Sequence, residues 1–204
     1  MTRAVHPIEA RSHAILRARV DLTHLPPLTR AVVERVVHAS ADLDYVEDLV
    51  CAESTLRAGV VALAAGAPVV ADAEMVAAGI TARDVVCRVR DTVADPGRTR
   101  SATAIRRALA EVGPGAVWVV GNAPTALAEL LELSARPALV VGLPVGFVGA
   151  VEAKAALRAS GLPAVSNRSE KGGSAVAAAA VNALLYADLP EAELPKADLV
   201  AETP

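Results

Sequence analysis

The chain has 204 residues, a formal net charge of -3 and a sequence pI near 5.8, which suits one α/β domain with a single substantial core. No global basic field is present to neutralise phosphates, which argues against nucleic acid as the main partner. Hydrophobic residues make up 53% of the chain but aromatics only 2%, so the core must be built from Ala, Val, Leu and Ile, and its helices must pack closely.

Seventeen of the 20 basic residues are Arg, so an anion site would use forked guanidinium groups. Cys51 and Cys87 cannot make a disulfide framework, and nothing at the N-terminus resembles a signal peptide, so the expected location is cytoplasmic. The uncharged apolar stretch at residues 137–151 is interrupted by Pro144 and three glycines. A membrane span needs ~20 apolar residues, so no membrane partner is expected.

In chain order, residues 8–20 carry Ile8, Ile15, Leu16 and Val20 at helical spacing, and residues 28–39 repeat the pattern with Val32, Val33, Val36 and Val37. A third helix spans 54–65, with Glu53 in its first turn and Gly66 as its stop. Five apolar runs, 69–71, 85–89, 116–120, 138–141 and 164–166, read as strands. The last four are separated by helices over 101–111, 125–134 and 151–160. Residues 173–187 are Ala-rich and apolar on most faces, interrupted by Asn182, and predict a buried helix packed on the sheet. This alternation predicts an α/β fold: a three-layer α/β/α sandwich with a five-stranded, mainly parallel sheet and right-handed crossovers. Residues 1–188 form the expected single domain, with two helices preceding the sheet. The proline- and carboxylate-rich segment 189–204 is expected to be a flexible tail.

Three of these strands end at Gly/Pro/Asn-rich loops: Gly121-Asn122-Ala123-Pro124-Thr125, the glycine-rich 142–149, and Asn167 through Ser174. In a parallel sheet such loops gather at the carboxyl ends of the strands, where helix N-termini point free N–H groups into the crevice. That predicts a site for an anionic ligand.

Of the histidines His6, His13, His24 and His38, only His38 lies on a strongly apolar helical stretch. Imidazole suits proton transfer near neutrality, with an unperturbed pKa of ~6.5. On the residues alone, a packed histidine bonded to a nearby carbonyl is the favoured reading. Asp72 and Glu74 follow the first strand and can bind a metal, orient a base, or cap the next short helix, the last being the favoured reading. Arg88, Arg90, Arg98 and Arg100 can pair with substrate carboxylates or belong to a solvated loop. Lys171-Gly172-Gly173-Ser174 lacks the GxxxxGK[ST] order, no GxGxxG follows a strand, and neither a zinc-ligand cluster nor a GxSxG elbow occurs. No resident metal or cofactor is expected.

Six segments occur in the order of motifs that the chain shares with precorrin-8X methylmutases. They are Arg35-Val36-Val37-His38-Ala39-Ser40, Ala71-Asp72-Ala73-Glu74-Met75-Val76, Thr99-Arg100-Ser101, Val120 to Leu127, Pro144 to Ala150, and Lys171-Gly172-Gly173-Ser174 with Ala179 to Leu184. The resemblance runs from about Ile8 to Leu185. It implies a flavodoxin-like fold, a homodimer with sites near the subunit interface, and an isomerase of cobalamin biosynthesis. The implied reaction moves a methyl group from C-11 to C-12 of precorrin-8X or cobalt-precorrin-8 by a 1,5-sigmatropic shift, giving hydrogenobyrinate or cobyrinate. Residue by residue, it implies His38 as the catalytic proton donor and Ser12, Thr81 and Arg100 as substrate-binding residues. Asn122, Gly172 and Gly173 are the loop positions expected to meet further substrate carboxylates. The chain departs from the family pattern at His13, where an aromatic or apolar residue is common, at Ala41, where Gly is common, and at Ser169-Glu170, where Gly-Arg is familiar. The rival classes are a non-catalytic tetrapyrrole carrier of the same pathway and a nucleotide-dependent enzyme.

Overall fold

Strands covered by helices on both faces should be apolar throughout rather than alternating, and the central ones here are. Val117-Trp118-Val119-Val120 and Leu139-Val140-Val141-Gly142 are buried at every position. The structure is a computed structural model that describes residues 6–187. Its elements are α1 (Pro7–Arg19), α2 (Pro27–Ser40), α3 (Tyr45–Asp48), β1 (Leu49–Cys51), α4 (Glu53–Ala64), β2 (Val69–Ala71), α5 (Glu74–Gly79), β3 (Val85–Cys87), α6 (Arg100–Val112), β4 (Val117–Val120), α7 (Pro124–Glu132), β5 (Leu139–Gly142), α8 (Ala150–Ala159), β6 (Ala164–Asn167) and α9 (Ser174–Leu185). The tail expected at 189–204 lies outside the described residues.

The sheet has six strands in the order β1-β6-β5-β4-β2-β3, which corrects the expected five. The extra strand, β1, runs antiparallel to β6, with Leu49 opposite Asn167 and Cys51 opposite Val165, so the sheet is mixed. Three half-buried residues carry no readable periodicity, which is why the sequence did not disclose it. The other four pairings are parallel.

Successive residues of β4 point to opposite faces, as the pleat requires. Val117 and Val119 join a core with α4, α5 and α9, whereas Trp118 and Val120 join a second core with α6, α7 and α8. Helix α2 packs on α9 and α4 rather than directly on the strands, and α1 packs on α2, so these two helices form a further layer outside the sandwich. Small residues permit this depth. A Cβ added at Gly79 of α5 would lie 2.7 Å from the Cβ of Ala178 in α9. Glu53, the first residue of α4, accepts hydrogen bonds from the Leu28 and Thr29 amides at the start of α2 (3.1 and 2.9 Å). It thereby caps a helix other than its own.

Between β2 and β4 the chain order reverses, and in open α/β sheets that is where ligands bind. Here a side chain fills the position. Asp72, 1% exposed, accepts from the Gly121 amide through Oδ1 (2.9 Å) and from the Asn122 and Ala123 amides through Oδ2 (3.0 and 2.7 Å). The expectation that Asp72 caps the helix after it is therefore corrected. The N-cap of α5 is Ala73, without a side-chain bond, and Asp72 serves the N-terminus of α7 instead. Burial pushes its carboxyl pKa up, and the three amides pull against that shift. The amides of 121–123 are consequently occupied from within the chain.

Asp72→Ala should lower the unfolding free energy by about 3 kcal/mol, since it leaves three amide donors at a helix terminus without their acceptor. Denaturant titration checks the loss. Sulfate should stabilise the variant more than the parent, because only the variant has a vacant anion position there, whereas the general salt effect acts on both.

Candidate functional site

His38 lies in the last turn of α2, half-buried. Its Nδ1 is 2.7 Å from Ser12 Oγ of α1. The His13 ring stacks on it at 4.9 Å between centroids and 11° between planes. With Nδ1 engaged by Ser12, Nε2 has no hydrogen-bond partner among the described residues and is the nitrogen left for proton exchange. His38 borders two clefts. One, of about 150 Å³, is mostly apolar and includes Ile15, Leu16, Val37 and Leu43, with Arg19 at its edge. The other, of about 320 Å³, is lined by His6, Ile8, Glu9, Arg35 and His38.

The polar groups around this pair are tied to one another. Arg17 grips Glu34 through two bonds of 3.0 and 2.7 Å. Arg35 pairs with Glu9 at 3.4 Å and lies over the Tyr186 ring, 5.1 Å from its centroid. The Tyr186 hydroxyl is 2.7 Å from Thr81 Oγ1. Ser12 and His38 are thus in direct contact, and Thr81 is linked through Tyr186 to Arg35, which lines a cleft with His38. The C-terminal cap of α2 is Ala41 in the left-handed region, φ 55° and ψ 22°, a conformation Gly adopts without steric penalty.

A second cluster gathers at the carboxyl ends of the strands. Gly173 donates its amide to the Leu143 carbonyl at 2.9 Å, and a Cβ on Gly172 would lie 2.3 Å from that same oxygen. Gly172 is therefore required for close passage of two loops, and the Gly173 amide is already engaged. These loops pack on themselves and, with 121–123 held by Asp72, offer fewer open N–H groups than the glycine-rich sequence suggests. Asn122 is exposed beside them.

Three of the four candidate arginines pair within the chain: Arg88 with Glu111, Arg90 with Glu74, and Arg98 with Glu129, which Arg106 also contacts. Arg100 is exposed and has no partner among the described residues. It is the first residue of α6, where the helix dipole disfavours a cation. Its neighbour Thr99 meets Thr125 of the α7 turn at 2.8 Å between hydroxyl oxygens, which places Arg100 beside the Asn122 loop. Neither of the two clefts that His38 borders is lined by a residue of this cluster.

Sequence reasoning missed the link between the two clusters. Lys154 of α8, fully buried, donates to Asn167 Oδ1 (2.9 Å), the Lys171 carbonyl (2.7 Å) and the Ser169 carbonyl. Burial pulls its pKa down to about 8. Asn167 in turn donates to Asp48, which also accepts from the Arg168 and Ser169 amides. Lys171 then reaches Asp42 and Asp44, just past the His38 helix, at 2.7 and 2.6 Å. The Ser169-Glu170 variation is accommodated, since Ser169 Oγ bonds Asp48 at 2.6 Å and Glu170 faces solvent. No helix among the described residues is long and apolar enough to cross a membrane.

The precorrin-8X methylmutase family model matches residues 7–187. A precorrin-8X methylmutase of Pseudomonas aeruginosa is 43% identical over 194 residues, covering 87% of this chain and 93% of its own. A cobalt-precorrin-8 methylmutase of Salmonella typhimurium is 40% identical over 196 residues, covering 88% and 93%. The crystal structure of a precorrin-8X methylmutase from Thermus thermophilus superposes with a TM-score of 0.79 at 36% identity, covering 88% of this chain and 96% of that one. With the match spanning both clusters and the helices that connect them, the chain belongs to the precorrin-8X methylmutase family, whose members are isomerases of cobalamin biosynthesis.

Proposed function

We propose that the chain catalyses the 1,5-sigmatropic shift of a methyl group from C-11 to C-12 of precorrin-8X or cobalt-precorrin-8, giving hydrogenobyrinate or cobyrinate, with His38 as proton donor. The observation that carries this reading is the His38 imidazole, bonded through Nδ1 to Ser12 and stacked flat on His13 at the meeting of two clefts. In the rearrangement the C-11–CH3 bond breaks as the C-12–CH3 bond forms, and the conjugated electrons redistribute around the ring. The protein's task is to hold the macrocycle in one shape and to supply a proton where charge changes. As an imidazolium, His38 donates Nδ1–H to Ser12 Oγ and presents Nε2–H to the substrate. After transfer, the Nδ1–H tautomer keeps its bond to Ser12 while Nε2 takes a proton back from the rearranged ring, so substrate and product remain isomers and His38 is regenerated.

The substrate's acetate and propionate carboxylates call for unpaired cations. Arg100, without a partner among the described residues, suits that role, whereas Arg88, Arg90 and Arg98 are engaged. Thr81 and Asn122 add hydrogen-bonding side chains. Gly172 and Gly173 shape the loop floor more than they donate to it.

Pockets for drug-sized ligands run ~300–1,000 Å³, so a corrinoid exceeds either cleft beside His38. The reading therefore includes a second copy of the chain, completing the site as a homodimer. Exposed apolar side chains at the strand ends, Phe147 at 95% and Val148 at 88%, supply surface for the ring or for that copy. Any cobalt travels with the substrate, and relatives named for both substrates match at similar identity.

His38→Ala should abolish formation of the product chromophore from precorrin-8X while leaving product binding within a few-fold. A variant turning over at near the parent rate would remove His38 from the mechanism. A parent protein that binds the tetrapyrrole without spectral conversion would instead identify a carrier. Arg100→Ala should weaken ligand binding at least tenfold, about 1.4 kcal/mol, with an unchanged denaturation midpoint. Equal binding by both proteins would exclude Arg100 from the site.

A further inference from the structure

The residue stacked on His38 is itself a histidine, and its surroundings are arranged against its becoming charged. The side chain of His13 is 18% exposed. Its Nδ1 is buried without a hydrogen-bond partner. The nearest carboxylate oxygen, Glu34 Oε2 on α2, stands 3.9 Å away and is held by Arg17 at 2.7 Å. The groups facing the ring are Glu9 and Arg17 from α1, and Glu34 and His38 from α2. Of the two carboxylates, Glu34 is neutralised by Arg17 and Glu9 pairs with Arg35. His38, in contrast, has a hydroxyl partner and cleft access.

We propose that His13 is a positioning residue for His38: its ring fixes the plane of the His38 imidazole and, by staying neutral, leaves the pair's single proton on His38. With two rings stacked 4.9 Å apart and nearly parallel, a second charge is opposed by the first. Burial and the charge on His38 both lower the pKa of His13, in keeping with the geometry. A flat apolar ring would orient His38 equally well. A histidine at this place makes the second protonation difficult, and so ties the availability of one proton donor to the state of its neighbour. The inference rests on the reading of His38 as the proton donor, but its physical core, the order of protonation within the pair, does not.

The test is the nitrogen-15 NMR titration of the histidine rings in the full-length protein without substrate, using the parent, His38→Gln, His13→Phe and His13→Leu. In the parent, His13 should stay neutral until His38 already carries a proton. In His38→Gln, the His13 midpoint should rise. With precorrin-8X, His13→Phe should keep kcat within about threefold, because stacking is retained. His13→Leu should lose at least tenfold in kcat with KM within twofold, because His38 is no longer held in plane. His13 protonating first or together with His38, an unmoved His13 midpoint in His38→Gln, or an unaltered kcat in His13→Leu would each overturn the proposal. If the parent fails to convert precorrin-8X, the functional reading falls, while the titration still decides the order of protonation.

Discussion

The architecture depends on how close α9 can come to its neighbours. This helix lies with its Ala177 to Ala180 stretch buried between the sheet, α5 and α2. A larger side chain on the face of α9 toward α2 would push α2 outward, and α2 carries His38. With aromatics at 2% of the chain, small residues do here what large ones do elsewhere. They lose transfer energy per residue but gain short interhelical distances. The catalytic candidate is therefore positioned two helical layers from the strands, by packing rather than by a strand-end loop. This differs from the usual doubly wound site, where loops at the carboxyl edge hold the reacting groups.

The carboxyl edge has been given to structural work. Asp72 at the α7 N-terminus and Lys154 among the carbonyls after β6 are both buried charges, and each is surrounded by groups of opposite partial charge. Both stand where a bound ion would otherwise serve, an anion on amides and a cation on carbonyls. Such groups are costly to bury alone and tolerable only when every bond is made. Their presence stiffens the loops whose outer surface, with Arg100 and Asn122, remains open. The chain satisfies its own backbone first and leaves side chains to meet the ligand.

Much of this was legible in the sequence, and the remainder fails for identifiable reasons. Helices α1, α2, α4 and α6 to α9 follow from apolar spacing because each spans at least nine residues, enough to establish a 3.6-residue period. Strand β1 and helix α3, three and four residues long, are too short to hold one. Asp72 was read as a cap for its own helix because capping is a local rule, whereas its partners are about 50 positions onward. The arginines looked equivalent as a group, and only their tertiary partners separate Arg100 from the rest. Ser12 and His38 are 26 residues apart. Family resemblance paired them in function, and no spacing rule could have paired them in space. Lys154 gives no local sign at all, being one lysine in an ordinary amphipathic helix.

The placement of His38 and Arg100 in two differently built clusters bears on the proposed methyl shift. A methyl shift within a conjugated ring develops little charge that a single residue could neutralise, so the catalytic contribution has to come from holding the ring and setting its tautomer. Holding is served best by contacts spread around a carboxylate-fringed periphery, far from the migrating carbon. Proton supply needs one group at one position. Two clusters with different construction fit these two demands: an exposed rim with an unpaired arginine against its helix dipole, and a half-buried imidazole fixed by a hydroxyl and a flat neighbour. The Lys171 bridge to Asp42 and Asp44 joins them mechanically.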